Sequence, residues 1–456
     1  MSAVIASDER RLVYVATAIS ALGGMLFGYD IGVISGAILF ITNEFSLSPG
    51  REEVVVSSVL VGSLVGAAVG GILADRFGRR RLLVFTAGVF GVGALGAALA
   101  PDTGSLIVAR IVAGTAIGVA SFVAPLYITE IAPVAIRGRL VSINQLALTI
   151  GIVVSYLIDY ALAPAHAWRW MFALALIPAI SFGIGLALVP DSPRWLVGSG
   201  HVDRARAVLR RIRAPDEVER ELAQIEHSVA QQRGQWSELL STSLRPAMIV
   251  GVGLAIAQQV TGINTVIYYA PTIFHFAGLS SVSVAILASV GVGVVNVVMT
   301  AVAMQLIDRV GRRPLLLGSL AGMALSLLLL GLAFALPRWS GSLGWIAVAS
   351  TMVYVGAFAV GLGPVFWLML SEIYPLRVRG RAMSVGTVAN WTANLLVAVS
   401  FLTLLHALGN APTFWLYGAV SVAAWVFALF LVPETRGRSL EDIETHWRAG
   451  RAPRAL

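Results

Sequence analysis

The segment DRFGRRR, Asp75 to Arg81, returns as DRVGRRP, Asp308 to Pro314, at an offset of 233 residues. Two further pairs keep the same order. EIAPVAIRGR from Glu130 to Arg139 returns as EIYPLRVRGR from Glu372 to Arg381, 242 residues on, and PDSPRW at Pro190 is answered by PETRGR at Pro433, 243 on. Between these motifs the chain is nearly free of charge. Runs of 18 or more such residues occupy 12–43, 54–74, 82–101, 103–129, 140–168, 170–190, 246–307, 314–337, 339–371 and 382–433. A helix that crosses about 30 Å of hydrocarbon needs about 20 residues. The 62-residue run 246–307 and the 52-residue run 382–433 must therefore each hold two helices. The sequence predicts an all-α integral membrane protein of twelve transmembrane helices in two pseudo-symmetric six-helix halves, 1–190 and 246–433. They are joined by a linker, 191–245, and followed by a tail, 434–456.

Composition agrees with this division and excludes other classes. Of 456 residues, 57% are hydrophobic and 12% charged, and the mean hydropathy is +0.84, against roughly a quarter charged in an ordinary soluble domain. Such a chain could not cover the surface of a cytosolic enzyme, and it is too apolar for a disordered chain. With no Cys, structural disulfides and thiolate metal sites are excluded. No nucleotide loop, metal cluster or nucleophile constellation supports an enzyme, and no cofactor is expected.

The formal charge is +8 and there is no Lys, so all 32 basic residues are Arg. A basic chain can signal nucleic acid, but that reading needs a clustered basic face on a folded domain. Here the arginines sit in short loops between apolar runs, so no nucleic-acid partner is expected. With both termini cytoplasmic, 28 of the 32 fall inside, against Arg51, Arg169 and Arg338 outside and Arg110 within a span. Arg10 and Arg11 precede an apolar run that reaches residue 40, longer than a signal-peptide core, so the run is read as an uncleaved first span. The linker alternates Arg with Asp and Glu (ARAVLRRI, EVERELAQIE) and predicts short amphipathic cytoplasmic helices. Two like halves predict a site at their interface, exposed alternately to either side.

The finer motifs carry a resemblance. FGYD (Phe27–Asp30), PLYITEIAP (Pro125–Pro133), NQLALTIG (Asn144–Gly151), PDSPRWL, QQVTGINTVIYY (Gln258–Tyr269), GPVFW (Gly363–Trp367), NWTAN (Asn390–Asn394) and PETRGRSLEDIE (Pro433–Glu444) span nearly the whole chain. Together with DRxGRR in both halves they resemble the sugar porter branch of the major facilitator superfamily. The resemblance implies the major facilitator fold and transport of a hexose or pentose, such as glucose or xylose. Its FGYD form is similar to bacterial proton-coupled symporters. It implies a monosaccharide and a proton as partners, a lipid surround, a working monomer and a place in the bacterial inner membrane.

The residues can be weighed beside that resemblance. A neutral sugar at membrane depth needs amide donors and acceptors and an aromatic platform, whereas fixed charges would be costly there. Gln258, Gln259 and Asn264 fall in span seven, Asn296 in span eight, Trp367 in span ten and Asn390 in span eleven, with Gln145 of span five as the first half's contribution. Amides also serve as interhelical glue, but these seven positions match the family's sugar ligands. On an unbroken helix Gln258 and Asn264 would lie about 120° apart. Gly262 between them predicts an interrupted span, with Tyr268 and Tyr269 beyond the break as candidate outer gates or as plain packing. Gly361, Gly363 and Pro364 predict a similar flexible point beside Trp367. One departure is Ala359, where animal facilitative carriers place a Glu.

Asp30 and Arg110 are charges inside spans at similar depth. An intramembrane ionisable residue is a functional hypothesis by default, and the resemblance matches this pair to the coupling pair of proton symporters. Asp75, Arg79, Glu130 and Arg137, with Asp308, Arg312, Glu372 and Arg379 in the second half, lie at inner helix ends. The resemblance implies that they form salt bridges that latch the inner side. A facilitative sugar or polyol uniporter would share every feature except the need for Asp30 to titrate. A sugar sensor would need a longer cytoplasmic tail than the 23 residues after Pro433.

Overall fold

The computed structural model describes residues 7–133, 136–231, 236–279, 281–336, 342–375, 378–438, 442–443 and 446. Arg338, Arg377, positions 439–441 and 444 of PETRGRSLEDIE, and the tail from 447 lie outside these residues. The described chain is helical. In order it forms α1 (Ser7–Glu44), α2 (Pro49–Phe77), α3 (Arg79–Ala98), α4 (Thr103–Ile131), α5 (Arg137–Leu162), α6 (Trp168–Ala173), α7 (Leu176–Leu188), α8 (Pro193–Gly198), α9 (Val202–Ile212), α10 (Pro215–Gln231), α11 (Arg245–Val260), α12 (Ile263–Tyr268), α13 (Ala270–Phe276), α14 (Val282–Val310), α15 (Arg312–Ala335), α16 (Leu343–Val360), α17 (Leu362–Glu372), α18 (Arg379–Ala398), α19 (Phe401–Leu408) and α20 (Asn410–Leu431).

Twelve helical stretches among the described residues are long and apolar enough to cross a membrane. Several are broken: α6 with α7, α11 with α12, α16 with α17 and α18 with α19. In lipid every backbone polar group must be paired within the protein, so helices are the expected elements and each break needs a partner for the groups it frees.

By compactness the chain divides into one unit of residues 1–29, 61–151 and 172–233, and a second of 30–60, 152–171 and 234–456. This is a different cut from the repeat boundaries. The repeats record matching sequence, whereas the second unit also gathers the ends of α1, α2 and α5 that pack against second-half helices.

In the first unit, small residues let helices approach closely. A Cβ on Gly118 of α4 would lie 2.1 Å from the Ser63 carbonyl oxygen of α2, and one on Gly66 would lie 2.1 Å from that of Thr115. Without a hydrophobic drive between helices in lipid, such backbone contact supplies the packing. The amphipathic α9 buries Ala205, Leu209 and Ile212 on one face. At its end the buried Arg213 forms an ion pair with Glu221 of α10 and donates to the Ile131 carbonyl at the end of α4, at 3.0 Å. That bond satisfies one of the carbonyls a helix leaves unpaired at its C-terminus.

Candidate substrate and coupling site

Span seven breaks where the sequence predicts. α11 ends at Val260 and Gly262 takes φ +91°, a left-handed conformation that favours glycine, with a hypothetical Cβ 2.9 Å from the Tyr417 ring. The carbonyl of Thr261 at the break accepts from the Tyr354 hydroxyl at 2.7 Å. Span ten breaks at Gly361, where the Leu362 N–H donates to Ser319 Oγ at 3.0 Å.

These two breaks and α18 meet in a network of side-chain amides in the second unit. Asn390 Nδ2 donates to Gln258 Oε1 at 2.7 Å and to the Ala255 carbonyl at 2.9 Å. Gln259 Nε2 donates to Asn390 Oδ1 at 3.1 Å and to Gln258 Oε1 at 3.3 Å. Asn264 Nδ2 reaches Gln259 Oε1 at 2.8 Å, and Gln258 Nε2 reaches the Gly363 carbonyl at 3.2 Å. Four of the seven expected amide and aromatic positions are thus joined by hydrogen bonds across spans seven, ten and eleven. Gln258, Gln259 and Asn390 are each buried. Such a ring can exchange its internal bonds for bonds to hydroxyls at little net cost, because donors and acceptors are matched in both arrangements.

The other three expected positions stand apart from this ring. Asn296 is buried on α14 and makes no hydrogen bond to it. Trp367 of α17 is 38% exposed and lies against Phe366 with ring centroids 4.7 Å apart. Gln145 is half-buried on α5 in the first unit. Tyr268 and Tyr269 are buried beyond the break, and the Tyr269 ring lies 5.3 Å from that of Phe401 on α19.

Asp30 of α1 and Arg110 of α4 are both buried, at 5% and 1% exposure. The Arg110 guanidinium lies 5.8 Å from the centroid of the Phe172 ring, a cation–π distance.

Each half repeats one arrangement of charges. Arg79 lies 3.0 Å from Asp75 and 3.0 Å from Glu130, the latter an ion pair without hydrogen-bond alignment. Arg312 lies 3.3 Å from Asp308 and 3.0 Å from Glu372. Glu372 also accepts from Thr435, and Glu434 accepts from the backbone N–H groups of Arg312 and Arg313 at the start of α15. Arg137 and Arg379 do not join these triads, contrary to expectation. Arg379 turns back to the Tyr374 carbonyl, at 3.0 Å and 3.1 Å, and the charged neighbours of Arg137 are Glu221, Arg213 and Arg194. A helix-terminal arginine has backbone carbonyls at hand, and sequence does not disclose that competition.

Two acids were given no role by the sequence reading. Glu53, buried near the start of α2, accepts from both the backbone N–H and the hydroxyl of Thr403 at 2.7 Å. A partner 350 residues away cannot be read from a helix-start Glu. Asp159 of α5 is fully buried, with its carboxyl packed against Gly36 of α1. As an acid within a span it carried its own signal. In the same unit the Tyr156 hydroxyl donates to the Ile267 carbonyl of α12 at 2.9 Å. First-half and second-half segments are thus bonded to each other at this end. A hydrogen bond to a charged group contributes about 1.5–3 kcal/mol. We therefore expect Glu53→Ala to raise thiol labelling of a cysteine placed at Ser400 by about 10-fold or more. Unchanged labelling would mean that Glu53 does not hold the α2–α19 contact.

The profile described as "Sugar (and other) transporter" matches residues 16–447. The chain belongs to this family. It is 44% identical to the D-xylose transporter of Levilactobacillus brevis over 94% of both chains. To the galactose-proton symporter of Escherichia coli it is 41% identical, over 98% of this chain and 97% of the other. A solved structure of the E. coli proton:xylose symporter XylE, of the major facilitator superfamily, bound to 6-bromo-6-deoxy-D-glucose, matches with TM-score 0.82 at 35% identity, over 96% of this chain and all of that one. The chain is a multi-pass membrane protein with the major facilitator fold.

Proposed function

We propose that the protein carries a monosaccharide, a hexose or pentose, into the cell together with a proton. The observation that carries this reading is the ring of Gln258, Gln259, Asn264 and Asn390 at the breaks of spans seven and ten. It offers neutral, exchangeable hydrogen bonds and no fixed charge, the chemistry a polyhydroxylated neutral solute needs. The symporter relatives favour the same substrate class. Gln145, Asn296 and Trp367 are proposed as further sugar contacts, and Tyr268 and Tyr269 as gates. Asp30 carries the coupled proton, with Arg110 as its partner. The chain works as two six-helix halves, 1–190 and 246–433, in the bacterial inner membrane with both termini cytoplasmic, and as a monomer. The linker 191–245 and the tail are cytoplasmic in this reading.

Uptake of labelled sugars into cells or vesicles, with and without a protonophore, tests the proposal. Accumulation above equilibrium that collapses when the protonophore is added is the expected result. Uptake that only equilibrates and ignores the protonophore would establish the facilitative uniporter instead.

In this reading the two charge triads latch the cytoplasmic end. A single exposed ion pair contributes roughly 0–1 kcal/mol, so the latch must act as a network. Glu130→Arg sets a second guanidinium against Arg79 and removes that acid from the network. With no native Cys, single cysteines along the Glu130 end of α4 and the Glu372 end of α17 report the outcome. Their labelling from the cytoplasmic side should rise several-fold in Glu130→Arg, and an unchanged rate would remove Glu130 from the latch.

A further inference from the structure

A cavity of about 370 Å³ lies in the first unit where α7 ends and the linker helices begin. Its lining includes Arg80 of α3, Leu188 at the end of α7, Asp191 of the PDSPRW motif, and Arg204, Val208 and Arg211 of α9. Three arginines and one carboxylate thus line it. That carboxylate is already taken, because Asp191 is buried and Arg80 Nε donates to it at 3.3 Å. Arg80 spends another donor on the carbonyls of Ala187 and Val189.

Arg204 and Arg211 are different. They lie two turns apart on one stripe of α9, with Val208 between them, and neither forms a hydrogen bond or ion pair with any described residue. Arg206 on the same helix, by contrast, pairs with Asp203 at 3.0 Å and Glu219 at 2.8 Å, and it does not line the cavity. The helix therefore neutralises Arg206 with neighbouring acids and leaves Arg204 and Arg211, which border the cavity, uncompensated along with Arg210, which does not.

The other wall is apolar and faces outward. Along α7, Ile177, Ile180, Ile184 and Leu188 are 63%, 57%, 60% and 76% exposed. Their spacing of three and four residues forms one continuous stripe on a membrane-spanning helix, which ends in the cavity at Leu188. The ligand that matches a lipid-facing aliphatic stripe leading into a pair of free arginines is amphiphilic, with an anionic head at the membrane surface.

We propose that this cavity binds the headgroup phosphate of an anionic phospholipid, held by Arg204 and Arg211 with its acyl chains along α7. The site is independent of the sugar pathway, and no transport step depends on it.

Native mass spectrometry of the full-length protein, released from neutral detergent and titrated with phosphatidylglycerol or with phosphatidylcholine of the same chains, tests this directly. Each arginine near an anionic headgroup is worth roughly fivefold in affinity, so the pair is worth about thirtyfold. Wild-type protein should retain phosphatidylglycerol over phosphatidylcholine. The double variant Arg204→Gln/Arg211→Gln should lose about thirtyfold, each single variant about fivefold, and Arg206→Gln should behave as wild type. Equal retention of the two lipids by wild type, or undiminished phosphatidylglycerol binding by the double variant, overturns the proposal. An equal loss in Arg206→Gln would reduce the effect to bulk charge and overturns it as well. Inorganic phosphate and glycerol 3-phosphate, which carry the phosphate without acyl chains, serve as competitors. If either displaces phosphatidylglycerol at comparable concentration, the site takes free phosphate and the lipid assignment fails.

Discussion

Vesicles carrying Asp30→Asn should fail to concentrate sugar while still binding it and exchanging it downhill. For a proton gradient to drive accumulation, some group must take up a proton facing outward and release it inside. Asp30 is a buried acid in the first span, and Asn keeps its shape while removing its charge and its proton. A carboxyl that meets a guanidinium in one state and loses it in the other changes its proton affinity between them. Arg110, held over Phe172 and 1% exposed, is the proposed guanidinium. The effect should be large. One pH unit is worth about 1.4 kcal/mol and 100 mV about 2.3 kcal/mol per charge, together enough for a several-hundredfold gradient at one proton per sugar. In Asp30→Asn that ratio should fall to about one. If the variant still concentrates sugar from an inward proton gradient alone, the proton travels elsewhere. Asp159, a fully buried acid in span five, would then be the next residue to replace.

What could be read before the structure divides along a physical line. Span number, the repeat and the break at Gly262 were legible because each depends on local properties: apolar length, motif order, and the one residue type that tolerates φ +91° at no steric cost. The inner triads were legible in part. Asp75 and Arg79 sit one helical turn apart, as do Asp308 and Arg312, so their pairing follows from spacing. Glu130 and Glu372 were found because the repeat displayed each of them twice. Arg137 and Arg379 repeat just as well, yet Arg379 donates to the Tyr374 carbonyl and the charged neighbours of Arg137 include the linker acid Glu221. The bond from Glu53 to Thr403 had no signal at all, because it joins residues from different halves and neither belongs to a repeated motif. In the amide ring, sequence supplied the members but not which of them bond. Asn296 and Trp367 fit the pattern as well as Asn390, and only the packing of α11, α17 and α18 separates them.

That separation ranks the site residues, and Gln258→Ala should have the largest effect on sugar affinity. Its side chain accepts from Asn390 and Gln259 and donates to the Gly363 carbonyl, so it ties α11 to both α18 and α17. Truncation leaves those three partners buried, and an unpaired buried polar group costs about 1–3 kcal/mol. Sugar affinity should fall by about 10- to 100-fold, read by binding calorimetry or by protection against thermal unfolding. Because Gln258 and Asn390 share a bond, the double variant Gln258→Ala/Asn390→Ala should lose less than the sum of the singles, with a coupling of about 0.5–3 kcal/mol. Trp367→Ala, outside the ring and 38% exposed, should combine additively with Gln258→Ala if it meets the sugar independently. Additivity between Gln258 and Asn390, with coupling between Gln258 and Trp367 instead, would mean that the bound state does not preserve this ring. The amides would then act as interhelical glue, and the sugar would be held by the aromatic side of the site.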